Sequence, residues 1–178
     1  MSRLLAYLGN DPQRLRCALH PGRALLASAT EARFEGWGVG FYQGGEVLLQ
    51  RRPKPFTGPF DLDEQLHDVK TDALVAQVRR AADATAAPGD APKNENTPPF
   101  RFRSWLFALH GGVARFPEKA EELLAPVPDY LRRNIRGQTD AELLFHLFLA
   151  GLHAGGMVND PDLPPRRAAA ALAGAIAH

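Results

Sequence analysis

Few side chains in this sequence are equipped for chemistry, and their spacing limits what that chemistry is. Cys17 is the one cysteine, so no internal disulfide forms, and its place between Leu15 and Leu19 reads as packing within a short helix. Of the six histidines, His146 and His153 lie seven apart on or just past one helix, with Glu142 four before His146. That spacing suits a metal face, but a third close ligand is missing, and solvated or core histidines are the preferred reading. His110 ends an apolar run ahead of Gly111-Gly112, where a hydrogen-bonded structural histidine is favoured over a catalytic base. On residue type alone, Arg79 beside Arg80 reads as a surface arginine. Asp140 likewise reads as a helix N-terminal aspartate favoured by the macrodipole.

The scaffold for these residues is 178 residues long, enough for one domain, 1–178, with a substantial core. Lysine and arginine total 21 against 20 aspartates and glutamates, a formal charge of +1. That balance gives no electrostatic reason to expect nucleic acid or an acidic membrane as partner. The N-terminus has one basic residue and an apolar run too short for a signal peptide or membrane span. With the lone cysteine, this points to a soluble, cytoplasmic protein with a small or uncharged partner.

Leu4 to Leu8 is a short apolar run ended by Gly9-Asn10-Asp11-Pro12 and predicts a buried strand at the start of the chain. Leu15, Ala18 and Leu19 predict a short helix between Asp11-Pro12 and Pro21-Gly22. Gly36 to Tyr42, Gly44-Gly45 and Glu46 to Gln50 predict a hairpin, and Leu74 to Val78 another strand. Asp83 to Phe100 lacks apolar periodicity and predicts a loop at the surface or over a site. A buried strand is expected from Trp105 to His110. Helices follow over Glu118 to Leu124, Tyr130 to Asn134, Asp140 to Gly151 and Ala168 to Ala177. The third carries the stripe Leu143, Leu144, Leu147 and Phe148, and Thr139 with Glu142 has capping-box spacing at its start.

Six ordered segments extend from the first residues to Glu142: Met1-Ser2-Arg3-Leu4-Leu5-Ala6-Tyr7, Gly36-Trp37-Gly38-Val39-Gly40-Phe41-Tyr42, Gln77-Val78-Arg79-Arg80-Ala81, Asn96-Thr97-Pro98-Pro99-Phe100, His110-Gly111-Gly112 and Gly137-Gln138-Thr139-Asp140-Ala141-Glu142. In order and rough spacing this set resembles stand-alone class II, N-terminal-nucleophile glutamine amidotransferases. The resemblance implies an α+β fold, an αββα layered sandwich of the N-terminal-nucleophile-hydrolase type. It also implies a glutamine or γ-glutamyl small molecule as ligand, with no cofactor and no metal.

By position in the resemblance, Ser2 stands where the family has its nucleophilic cysteine, exposed by removal of Met1, with the α-amino group managing the proton. A glutamine carries a fixed carboxylate and a fixed ammonium. The resemblance gives the first to Arg79, bidentately, and the second to Asp140. Trp37, Asn96 and Thr97 fall in pocket-lining segments. Gly112 supplies an oxyanion-hole N–H, while Gly111 replaces the asparagine whose amide would be the other donor. Losing one such donor typically raises the barrier by about 3–4 kcal/mol, and a serine hydroxyl is less ionised than a thiol. Gln77 and Pro98 replace histidines read as pocket support. The expectation is therefore a domain that binds glutamine or a γ-glutamyl compound with hydrolysis weak or lost; the alternative is a non-catalytic regulatory or assembly module. The chain also ends early relative to the family pattern, which suggests a C-terminally shortened fold and a homo-oligomer covering an exposed sheet face or edge.

Overall fold

The computed structural model describes residues 2–28, 34–53, 61–80, 93–116 and 118–178. The chain divides into two compact units, Met1–Gly111 and Gly112–His178.

The first unit is built on a four-stranded antiparallel sheet. Its strands are β1 (Arg3–Leu8), β2 (Phe34–Gln43), β3 (Glu46–Pro53) and β4 (Ala73–Arg80), in the order β1-β4-β2-β3. The hairpin between β2 and β3 turns at Gly44 and Gly45, whose φ values of 61° and 82° are those a two-residue turn of this hand requires. Strand alternation divides the sheet into two unlike faces. On one, Trp37, Val39 and Phe41 of β2 and Leu74, Ala76 and Val78 of β4 form a core with Leu15, Leu19 and Leu26. On the other, β2 presents Gly36, Gly38 and Gly40 in succession, followed by Tyr42.

That glycine trough admits a second layer of chain. A Cβ at Gly38 would lie 2.1 Å from the Pro98 carbonyl oxygen, and one at Gly40 would lie 2.5 Å from a Leu106 methyl. A two-stranded sheet, β5 (Phe100–Phe102) with β6 (Trp105–Phe107), continues from this region. Tyr42 donates its hydroxyl to the Ser104 carbonyl at 2.9 Å, and Arg101 donates to the Val47 carbonyl at 2.7 Å, so the small sheet is anchored to the hairpin.

Several expectations need correction. β1 forms where expected but is not buried, with Leu4 39% and Leu8 85% exposed, because it is an edge strand of the sheet. Helix α1 spans Leu15–Ser28 and passes through Pro21 instead of ending before it. The buried positions Leu15, Leu19, Gly22 and Leu26 continue one stripe across the proline, so packing outweighs the lost hydrogen bond, whose carbonyl partner Cys17 is solvent-exposed. Cys17 does not pack: two residues from Leu15 and from Leu19, it falls on the opposite side of the helix. The loop expected over Asp83 to Phe100 lies outside the described residues up to Ala91-Pro92; beyond them a turn of 3-10 helix covers Asn94–Asn96, and Asn96 to Phe100 are buried. β6 stops at Phe107, which pairs with Phe100, the first residue of β5, and the strand is half-buried instead of buried; beyond it the Leu109 carbonyl accepts from the Gln77 side chain at 2.8 Å. A short helix α2 (Leu62–Gln65), capped by Asp61, was not expected; four residues are too few to show a period.

The second unit is helical: α3 (Ala120–Leu124), α4 (Asp129–Arg132), α5 (Asp140–Ala154) and α6 (Pro165–Ala177). α3 and α4 are shorter than expected, and α6 begins at its prolines, where a missing N–H costs nothing. Thr139 caps α5 by accepting from the Glu142 N–H at 3.2 Å. The Glu142 carboxylate reaches past the cap to accept from the Arg136 and Gly137 N–H groups at 2.9 and 2.7 Å. Within this unit α5 packs on α3, α4 and α6, and Glu142 through Ala150 are all buried, a wider face than the four-residue stripe.

Candidate active site

In the first unit Ser2 and Arg79 fall on the glycine face, at the start of β1 and the end of β4, and Asn96 and Thr97 belong to the segment lying on it. The β1–β4 register pairs Arg3 with Val78 and Leu4 with Gln77. One step further along, Ser2 falls opposite Arg79, and strand alternation gives both the face that carries Gln77. Ser2 is half-buried.

Arg79 is held on two sides. One Nη1–H donates to the Asn96 carbonyl at 2.7 Å, and Nε lies 3.3 Å from Oε2 of Glu35, with side-chain exposures of 12% and 20%. Arg51, which faces Gly38 across the β2–β3 pair, donates to the next carbonyl, that of Thr97, at 3.4 Å. Two guanidinium groups thus fix consecutive carbonyls of the segment lying on the glycine trough. Thr97 directs its own hydroxyl to the Lys93 carbonyl at 2.7 Å, closing the turn that presents Asn96. Both Asn96 and Thr97 are buried. The Pro98-Pro99 peptide bond is cis.

Gln77 is 4% exposed and ties β4 to the segment that runs into His110-Gly111 through its bond to Leu109. Its Oε1 has no hydrogen-bond partner among the described residues. His110 and Gly111 are exposed, and Gly111 has a φ of +134°, a conformation in which an L side chain is strained. Trp37 is not brought to this face: it is 4% exposed and part of the core cluster on the other side of the sheet.

In the second unit, Gly112 and Asp140 meet. The Asp140 carboxylate accepts from the Val113 N–H through Oδ2 and from the Ala141 N–H through Oδ1, each at 2.8 Å. Gly112 lies against the same group, since a Cβ there would come within 3.0 Å of Oδ2. A carboxylate offers about four acceptor positions, so two backbone donors leave capacity for a cation. His146 is buried, donates Nδ1–H to the Glu142 carbonyl at 2.9 Å, and leaves Nε2 with no partner among the described residues. Burial lowers its pKa from 6.5, opposed by the hydrogen bond to Glu142. His153 stacks edge-on against Tyr130 with ring centroids 5.0 Å apart. Among the described residues no group of three or more His, Cys, Asp or Glu is arranged to hold a metal ion, and no helix is long and apolar enough to cross a membrane.

Glu35 and Arg51 were missed by sequence reasoning. Glu35 carries a faint signal: it is in alternation phase with Trp37 and Val39, so a regular strand would bury its charge in the core. A carboxylate there calls for a break in the strand, and the register of β2 against β4 shifts between Phe34 and Gly36. Arg51 lies in a hairpin strand among other polar residues and has no such signal.

Comparison with known proteins gives the family. The family model described as glutamine amidotransferases class-II matches residues 1–176. The putative glutamine amidotransferase YafJ of Escherichia coli is 27% identical over 150 residues, 82% of this chain and 52% of that protein. The γ-glutamyl-hercynylcysteine sulfoxide hydrolase of Mycobacterium tuberculosis is 33% identical over 125 residues, 65% of this chain and 51% of that protein. A solved structure, a glutamine aminotransferase class-II domain protein from Silicibacter pomeroyi, is similar with a TM-score of 0.52 and 27% identity, covering 80% of this chain and 54% of that one. The chain spans about half the length of the curated relatives it matches. The fold class is accordingly α+β, with helices and antiparallel sheets of the N-terminal-nucleophile-hydrolase type. With nearly its whole length matched by the family model, the chain belongs to the class-II glutamine amidotransferases.

Proposed function

We infer that residues 1–178 form one amidotransferase-type domain that binds glutamine or a γ-glutamyl compound, with side-chain amide hydrolysis through Ser2 weak or lost. The observation that carries this reading is the placement of Arg79. It is a partly buried guanidinium, immobilised by the Asn96 carbonyl and Glu35, on the same sheet face as Ser2 and one strand away. A fixed cation beside an N-terminal hydroxyl suits a ligand with a carboxylate at one end and an amide to be attacked at the other.

In this reading Arg79 takes the α-carboxylate and Asp140 the α-ammonium, with Asn96 and Thr97 shaping the pocket wall; Trp37, a core residue, has no contact role. With Met1 removed, the α-amine accepts the Ser2 hydroxyl proton as oxygen attacks the amide carbon. The Gly112 N–H stabilises the resulting oxyanion. Collapse expels ammonia or an amine and leaves an ester on Ser2 that water cleaves. The name of the Mycobacterium tuberculosis relative favours a γ-glutamyl compound as one candidate ligand.

The alternative is a binding, regulatory or assembly module without turnover, and one observation favours it. At a φ of +134°, position 111 has a backbone that disfavours an asparagine side chain, so the second oxyanion donor is lacking for a local conformational reason. Release of ammonia from glutamine by wild type and Ser2→Ala separates the two. Faster release by wild type establishes weak hydrolysis, while equal release together with glutamine-induced thermal stabilisation establishes a binding module. Equal release with no stabilisation by any α-amino acid removes both.

A further inference from the structure

We propose that Glu35 is a specificity-determining residue that biases the Arg79 site towards zwitterionic ligands and against simple carboxylates; this rests on the reading of Arg79 as the carboxylate anchor. Glu35 is where β2 departs from regular alternation: Phe34 pairs with Arg80 and Gly36 with Arg79, leaving Glu35 as the extra residue. A bulge of this kind re-aims one side chain. Without it Glu35 would point with Trp37 and Val39 into the apolar core; with it, the carboxylate lies 3.3 Å from Arg79 Nε. Gly36, directly across from Arg79, contributes no side chain.

The consequence is electrostatic. Glu35 occupies the Nε side of the guanidinium, and the Asn96 carbonyl takes a hydrogen of Nη1. A carboxylate that reaches this guanidinium comes within a few ångströms of Glu35, in surroundings where both side chains are mostly buried. Like charges so placed repel strongly. A ligand that carries an ammonium on the same carbon as its carboxylate brings its own compensation, and one that lacks it does not. Selectivity of this kind comes from a repulsive element built beside the attractive one.

The test compares calorimetric affinities for two probes, L-glutamine and glutaramate, the same chain without the α-ammonium. Wild type, Glu35→Gln, Glu35→Asp and Arg79→Ala are titrated. Wild type is expected to prefer glutamine, and Glu35→Gln is expected to narrow that preference by about tenfold, chiefly by gaining affinity for glutaramate. Glu35→Asp keeps the charge and should keep the wild-type ratio, so the effect follows charge and not side-chain size. An unchanged ratio in Glu35→Gln, with binding abolished by Arg79→Ala, overturns the role of Glu35 and leaves the Arg79 anchor standing. No binding of either probe by wild type or by Glu35→Gln removes the anchor and this inference together.

Discussion

Replacing Gly38 by alanine probes the link between the sheet and the site. An added Cβ would lie 2.1 Å from the Pro98 carbonyl oxygen and 2.9 Å from Pro99 Cδ. A comfortable carbon–oxygen approach is about 3.3 Å, so the segment must retreat by more than 1 Å. The atoms in the way are backbone and a proline ring, with no flexible side chain to swing aside. Overpacking of this kind costs about 1–3 kcal/mol, and the upper end is expected here. At about 2–4 °C per kcal/mol for a chain of this length, the melting temperature should fall by about 6–12 °C. The retreat also pulls the Asn96 and Thr97 carbonyls from Arg79 and Arg51, so glutamine-induced stabilisation should shrink. Gly174→Ala is the control: nothing lies within 4 Å of its added Cβ, and a helix-interior glycine replaced by alanine gains about 0.5–1 kcal/mol. Circular-dichroism melts of both variants, with and without glutamine, give the answer. If Gly38→Ala melts with wild type, the trough does not hold the segment and the reasoning is wrong.

Two further predictions are independent of it. Gly111→Asn should destabilise the protein by about 1–3 kcal/mol because of its φ of +134°, read by urea denaturation, and should leave hydrolysis of glutamine no faster; a neutral or activating substitution would contradict the account of position 111. For His146, burial lowers the folded pKa from 6.5, so the unfolded chain takes up a proton that the folded chain resists. Stability present above about pH 6.5 should be lost as the pH falls below it, and His146→Leu should flatten that fall between pH 7 and 5; equal slopes for both proteins would show that another group dominates.

Much of the first unit was legible because its signals are local. Two adjacent glycines announce the turn after β2, and in the second unit Thr139 announces the start of α5. What escaped depends on tertiary contacts. Pro21 looks like a helix end until Leu26 is seen on the same buried stripe as Leu15 and Leu19. Asn96 to Pro99 have loop composition, yet they are buried because three glycines in a distant strand make room for them. Ordered motifs single out Arg79 and Asp140, and their hydrogen bonds to Asn96 and Val113 add what motifs do not carry. Glu35 carried only a faint signal because its role depends on a one-residue shift in strand pairing. Trp37 was assigned to the ligand by its motif, whereas period-two alternation alone would have sent it to the core.

Calorimetric titration of L-glutamine into wild type and Arg79→Ala addresses most directly whether Arg79 anchors an amino-acid carboxylate. Saturable binding by wild type that disappears in a folded Arg79→Ala protein is the expected result. Equal heats from the two proteins, or none from wild type at millimolar glutamine, would contradict it.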